Sequence, residues 1–237
     1  MSTLAIVPAR RGSKGVPSKN LRLLAGRTLL DFVAEAARES GVIDRVVLTT
    51  DAPDIAEAGR RAGLEVPFLR PDTLAADDTP MLPVVRHALD QLAHAGWIPE
   101  VVVLLQPTSP LRRGEHIRRA VELLQDSGAD SVVSVVEMPR HLSPDYVMRI
   151  EKGTLRPFLP EGAGVTRRQD VRPAYYRDGT LYSFRRDTVE RFGNIYGEDC
   201  RPLIMEAGES LSIDTMEDWA RAEHALSRRV LRDASAT

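Results

Sequence analysis

Apolar residues fall along the chain in short unbroken runs separated by stretches with helical spacing. Leu4–Val7, Arg45–Thr49, Val101–Leu105 and Ser131–Val135 have the length and valine-leucine content of strands. Between them, Leu29, Phe32, Val33 and Ala36 recur at i, i+3, i+4 and i+7. The same spacing holds for Val84, Val85, Ala88, Leu89 and Leu92, and for Ile117, Val121 and Leu124. Strand runs that do not alternate with polar residues predict burial on both faces. The order strand, helix, strand, helix therefore predicts an α/β fold with a mostly parallel sheet covered on both sides. The stretch 137–176 breaks this rhythm with Pro139, Pro144, Pro157, Pro160 and Pro173. Its apolar residues (Met138, Leu142, Tyr146, Val147, Met148) are too few for a private core. It reads as an insertion within a single domain over 1–237. Strand character returns at Gly179–Phe184, and a closing helix is expected over Glu217–Ala225; no internal repeat is visible.

Composition narrows the classes. The 237 residues are 43% hydrophobic, enough for one sizeable core. A net charge of -2 argues against a general nucleic-acid binder. The single cysteine, Cys200, excludes an internal disulfide framework and suits a reducing compartment. No apolar run reaches the ~20 residues of a membrane span. The first strand runs straight into an Arg/Gly loop, the wrong order for a signal peptide. A cytoplasmic protein without membrane or nucleic-acid partners is expected.

That loop carries the first chemistry. After Ala5–Ala9 come Arg10, Arg11, Gly12, Ser13, Lys14 and Gly15, then Lys19 and Asn20, so four cations and two glycines follow one strand. In open parallel sheets ligands bind beyond the carboxyl ends of the strands, and the first strand-to-helix turn is the usual phosphate site. Backbone N–H groups of a glycine-containing turn form an anion nest that nearby cations reinforce. The spacing is neither GxGxxG nor a P-loop. Asp214, in a short polar turn between Ile213 and Thr215, is the metal candidate, because Mg²⁺ takes one or two protein carboxylates and completes its shell with phosphate and water; the other role open to it is a helix N-cap. Gln106 ends a buried strand, where an amide can both donate to and accept from a sugar. Thr108 and Ser109 read as caps for the following helix. The five histidines show no ligand pattern.

The text "PARRGSKGVPSKNL" at 8–21 resembles the signature of the acylneuraminate cytidylyltransferases, Ala-Arg-x-x-Ser-Lys-Gly-x-x-x-Lys-Asn. "LTTD" at 48–51, "LRPDTLAADDT" at 69–79, "LLQPTSPLR" at 104–112, "RRQDVRPAYYRDGTLY" at 167–182 and "SIDTMEDW" at 212–219 continue the likeness over most of the chain. The resemblance implies a Rossmann-like nucleotidyltransferase sheet whose insertion 137–176 pairs two subunits into a homodimer. It implies transfer of CMP from CTP to a nonulosonic or related sugar acid, assisted by Mg²⁺, with pyrophosphate leaving. Arg10, Gly12, Ser13, Lys14 and Lys19 would hold the triphosphate. Asn20, Arg70 and Thr79 would sit by the nucleotide, and Asp214 would take the metal. Gln106, Arg168, Gln169 and Tyr182 would meet the acid acceptor, although a core tyrosine is an equal reading of Tyr182.

Four positions depart from the family text. The first of two acids in the closing element is Ser212. Thr79-Pro80-Met81 replaces small hydroxyl residues near the base. Asp145 stands where the family places a lysine toward the sugar tail, which implies a negative charge in the acceptor pocket. Asp178-Gly179 replaces Asn-Gly. A different base, a non-sialate acceptor such as a phosphonate, and a non-catalytic nucleotide-binding relative therefore stay open as alternatives.

Overall fold

The computed structural model describes residues 1–12, 14–160, 164 and 167–235. Its centre is a six-stranded sheet. Strands β1 (Thr3–Pro8), β2 (Arg45–Thr49), β3 (Val101–Leu104), β4 (Ser131–Glu137), β7 (Tyr175–Arg185) and β8 (Cys200–Met205) stand in the order β2-β1-β3-β7-β4-β8. All neighbours are parallel except β7, which runs antiparallel between β3 and β4. The expected α/β class and mostly parallel sheet are observed. β1 connects to β2 on one side while β3 lies on the other, so strand order reverses beside β1.

The described residues form six α-helices: α1 (Leu29–Ser40), α2 (Pro53–Arg61), α3 (Met81–His94), α4 (Gly114–Ser127), α5 (Arg186–Phe192) and α6 (Met216–Ser235). Thr28 and Asp31 form a capping box that starts α1, and Gly41 ends it at φ 69°. Val33, Ala36, Ala37, Ile117, Val121 and Leu124 pack on one face of the sheet. Val85, Ala88, Leu89, Leu92 and Val189 pack on the other. A third cluster joins Val16, Leu24 and Leu29 to Ile213, Trp219 and Ala222. It fastens the loop after β1 to the start of α6. Val16 and Ile213 are fully buried, worth about 1.5–3 kcal/mol each.

The insertion leaves at the end of β4 and returns at the start of β7. It carries the two-stranded hairpin β5 (Met148–Glu151) and β6 (Thr154–Pro157). β7 begins at Tyr175, inside the span read from sequence as insertion, and α6 runs ten residues past the Ala225 end expected for it. Because β4 is parallel to β1 and β3, the insertion departs and re-enters at the sheet edge where those strands end.

Candidate active site

At that edge, beside β1, a cavity of about 330 Å³ opens. This is where a reversal of strand order leaves a crevice. Arg10, Gly12, Lys14, Lys19, Asn20, Arg70, Gln106 and Asp214 all line it, although their segments lie far apart in the chain. Met81, Pro107 and Thr108 also belong to the wall.

The loop after β1 is fixed from within. The Asn20 side-chain amide donates to the Arg10 carbonyl at 3.1 Å, and the Ala9 N–H donates to Thr49 at the end of β2. Gly15 has no choice of residue: a Cβ there would stand 1.8 Å from the Asp214 carbonyl oxygen. The loop after β1 and the closing element are thereby in backbone contact. Lys19 spans the same junction, donating to the Ile213 carbonyl at 2.7 Å with its ammonium 3.6 Å from Asp214 Oδ1. Its side chain is only 14% exposed. Burial pushes the ammonium below its ordinary pKa, and Asp214 pulls it part of the way back.

Arg70 is buried in the wall. Its Nη2 lies 3.5 Å from Asp51, too long for a good hydrogen bond, and its Nε and Nη2 have no hydrogen-bond partner among the described residues. Burial lowers this guanidinium from its ordinary value, with Asp51 opposing. A buried guanidinium in the cavity wall sets positive charge against that space, which favours an anion there. Arg10 and Lys14 both meet the Asp77 carboxylate, a residue given no role in the sequence.

The Asp214 side chain is exposed, 73% accessible, and accepts from the Ser212 hydroxyl at 3.3 Å. The N-cap role open to it belongs to Thr215, which accepts from the Asp218 N–H while the Asp218 carboxylate takes the N–H groups of Asp214 and Thr215. The Asp214 carboxylate has no capping duty and is left facing the cavity.

Other expected residues fall elsewhere. Ser13 lies outside the described residues, as does the side chain of Arg168; Gln169 shares a 3-10 turn with Arg168, exposed and away from the cavity wall. Thr79 is not in the wall, and Met81 at the start of α3 is. Tyr182 packs among the core residues of the second sheet face, edge-on to Tyr196 at 6.3 Å, as a core tyrosine does. Thr108 and Ser109 do not cap α4, whose N-cap is Arg113; the Ser109 hydroxyl instead donates to Gly179 at 3.4 Å. The bare negative charge expected at Asp145 is also corrected. Asp145 is buried, accepts the Arg172 N–H at 3.0 Å and is ion-paired with the Arg172 guanidinium, which holds its carboxyl below the usual range. Asp178 is likewise structural: it accepts from Ser134 and Thr180 beside the irregularity of β4. Gly179 next to it has φ 78° and stands against Gln106.

A buried histidine, given no chemistry in the sequence, tethers the approach to Asp214. His116 Nδ1 accepts the Arg113 N–H at 3.2 Å, so its proton sits on Nε2, 3.2 Å from Glu209 in the segment that leads to Asp214. Arg113 also pairs with Glu209, while Glu115, Arg119 and Arg112 act from farther off. Burial, then Arg113, pushes the imidazole down to about 4 from 6.5. Between those values the unfolded chain binds the extra proton, so stability falls as pH drops through that window and this contribution levels off below it. Between about pH 7 and about pH 5 the loss is expected to reach about 2 kcal/mol. Urea denaturation at about pH 7 and about pH 5 should show this slope in the native chain and its absence in His116→Gln; equal slopes would contradict it.

Comparison with known proteins agrees with this construction. The chain is 36% identical over 226 residues to a CMP-N,N'-diacetyllegionaminic acid synthase of Legionella pneumophila, covering 94% of this chain and 95% of the relative. It is 31% identical over 221 residues to an N-acylneuraminate cytidylyltransferase of Streptococcus agalactiae, covering 92% of this chain but only 52% of that longer protein. Among solved structures, a CMP:2-keto-3-deoxy-manno-octonic acid synthetase complexed with CTP superposes with a TM-score of 0.71 at 15% identity, covering 97% of this chain and all of the other; this likeness speaks for the fold. A family model described as cytidylyltransferase matches residues 4–228, and with nearly the whole chain so matched, the protein belongs to the cytidylyltransferase family.

Proposed function

We propose that this protein transfers CMP from CTP to a nonulosonic acid of the diacetyllegionaminate type, releasing pyrophosphate. The observation that carries the reading is the end-to-end likeness to the Legionella synthase, which is named for that product class. The site supplies what such a reaction requires. Phosphoryl transfer is mostly positioning and charge neutralisation, and Arg10, Lys14, Lys19 and Arg70 surround one cavity. The acceptor hydroxyl attacks the α-phosphorus; its proton is lost and pyrophosphate departs with the bonding pair. Lys19 and the loop cations stabilise the charge that develops on the leaving oxygens.

Mg²⁺ fits the residues present. Asp214 is an exposed carboxylate in the cavity wall with no capping duty, and such an ion needs only one or two from the protein. Bound there, it would supply further neutralisation of the phosphate oxygens. Asp214 would hold it and Ser212 would support Asp214. A second subunit belongs to the same proposal. Leu142, Val147, Met148, Ile150, Leu155 and Phe158 on the insertion are all exposed, an apolar face that a twofold partner would bury.

The test is pyrophosphate release with four nucleoside triphosphates against a panel of sugar acids. CTP with a diacetamido nonulosonic acid is expected to give the highest kcat/KM, and the same preparation is expected to sediment as a dimer. Release of pyrophosphate with no member of the panel, or equal use of all four triphosphates, would refute the reading; a monomer would remove the dimer alone.

A further inference from the structure

Two cations of the phosphate loop are already taken by a carboxylate that belongs to neither the loop nor the metal element. Asp77 lies in the turn between the 3-10 segment Asp72–Leu74 and α3. Its Oδ1 pairs with Arg10 and its Oδ2 with Lys14 at 2.6 Å, one oxygen to each cation. Lys14 foremost, then Arg10, hold this carboxyl below the usual carboxylate range, so it stays charged across the working pH. Two oxygens bridging two cations is also how two phosphate oxygens would bind there. The neighbouring Asp78 makes no ion pair among the described residues, so the pairing is a property of position 77 and not of the acidic turn.

The arrangement is exchangeable. The Lys14 side chain is 81% exposed and that of Asp77 41%, so water screens the pair and it is weak. A triphosphate brings several charges to the same place. Gly12 leaves the pair room: its missing Cβ would stand 3.1 Å from Arg10 Nη1 and 3.9 Å from Asp77 Oδ1. The turn also runs directly into Met81, which forms part of the cavity wall.

We propose that Asp77 is a built-in phosphate surrogate. It holds Arg10 and Lys14 together in the nucleotide-free protein, yields them to the incoming triphosphate, and reclaims them as pyrophosphate leaves. Asp77 is thus a positioning residue that weakens the binding of both substrate and product phosphates in return for a preset loop and faster product exit. The inference rests on the phosphate assignment of the proposed function.

Calorimetry without acceptor separates the two. CTP and inorganic pyrophosphate are titrated into the native protein, Asp77→Asn, Asp77→Ser and Asp78→Asn, each with and without Mg²⁺. Both Asp77 variants are expected to bind both ligands roughly five- to twentyfold more tightly, since the competing bound state is gone, and to show stronger pyrophosphate inhibition with a lower KM for CTP. Asp78→Asn, the same change in net charge one residue away, should stay within about twofold because its charge is screened. Unchanged or weaker binding in the Asp77 variants overturns the surrogate role, and weakening confined to Mg²⁺ makes Asp77 a metal ligand instead. Equal tightening in Asp78→Asn reduces the effect to net charge and overturns it too. A native protein that binds neither ligand brings down the proposed function, and this inference with it.

Discussion

Lys19→Ala is expected to lower kcat/KM by about 10²–10³-fold, roughly 3–4 kcal/mol of transition-state stabilisation. The reason is preorganisation. The ammonium is mostly buried, held by the Ile213 carbonyl and next to Asp214, so it needs little reorganisation when charge develops on the phosphates. The same hydrogen bond means that truncation also costs some stability, about 1 kcal/mol. A thermal melt run beside the kinetics separates the two, because the loss of activity must far exceed the loss of folded protein. Lys152→Ala, in the exposed turn of the β5–β6 hairpin, provides the comparison and should be nearly silent. Similar effects from the two changes would mean that the loop after β1 is not where the triphosphate sits.

Asp214→Asn should be as severe at limiting Mg²⁺, about 100-fold or more in kcat/KM, with partial recovery as Mg²⁺ is raised. Stability should stay within about 0.5 kcal/mol, because Asp214 is exposed and Thr215 carries the helix cap. A second readout follows from its neighbour. Asp214 raises the pKa of Lys19 against the lowering effect of burial. Without that charge Lys19 loses its proton at lower pH, so the alkaline limb of the rate profile should move toward neutrality. An Asp214→Asn enzyme with near-full activity at limiting Mg²⁺ and an unmoved alkaline limb would place the metal elsewhere.

The parts of the fold that were legible are those buried on both sides. β1 to β4 give unbroken apolar runs because helices cover both faces, and α1, α3 and α4 give clean periodicity because each buries one stripe. β8 was missed: it is an edge strand that contains Pro202 and leaves four of its six residues exposed. β5 and β6 are almost wholly exposed, so no core imposes a pattern on them. α2 buries alanine and glycine beside a single isoleucine, too little volume to stand out. In the site, the loop cations were legible because their density has few other uses. Asp77 was not, since an acid in a polar turn has no spacing signature and its cations lie in another part of the chain. Asp145 was misread for the complementary reason: its partner, Arg172, is 27 residues away, and only the fold shows that its charge is spent.

In the six-stranded sheet, the antiparallel course of β7 isolates the insertion from the central strands. Because β7 runs against its neighbours, the chain between β4 and β7 exits and re-enters on one edge without crossing the sheet. That segment can lengthen, shorten or be exchanged while the register of every central strand stays as it is. β7 thus uncouples the insertion from the strands that carry the cavity: a change of length between β4 and β7 leaves the loop after β1 and Gln106 after β3 where they are.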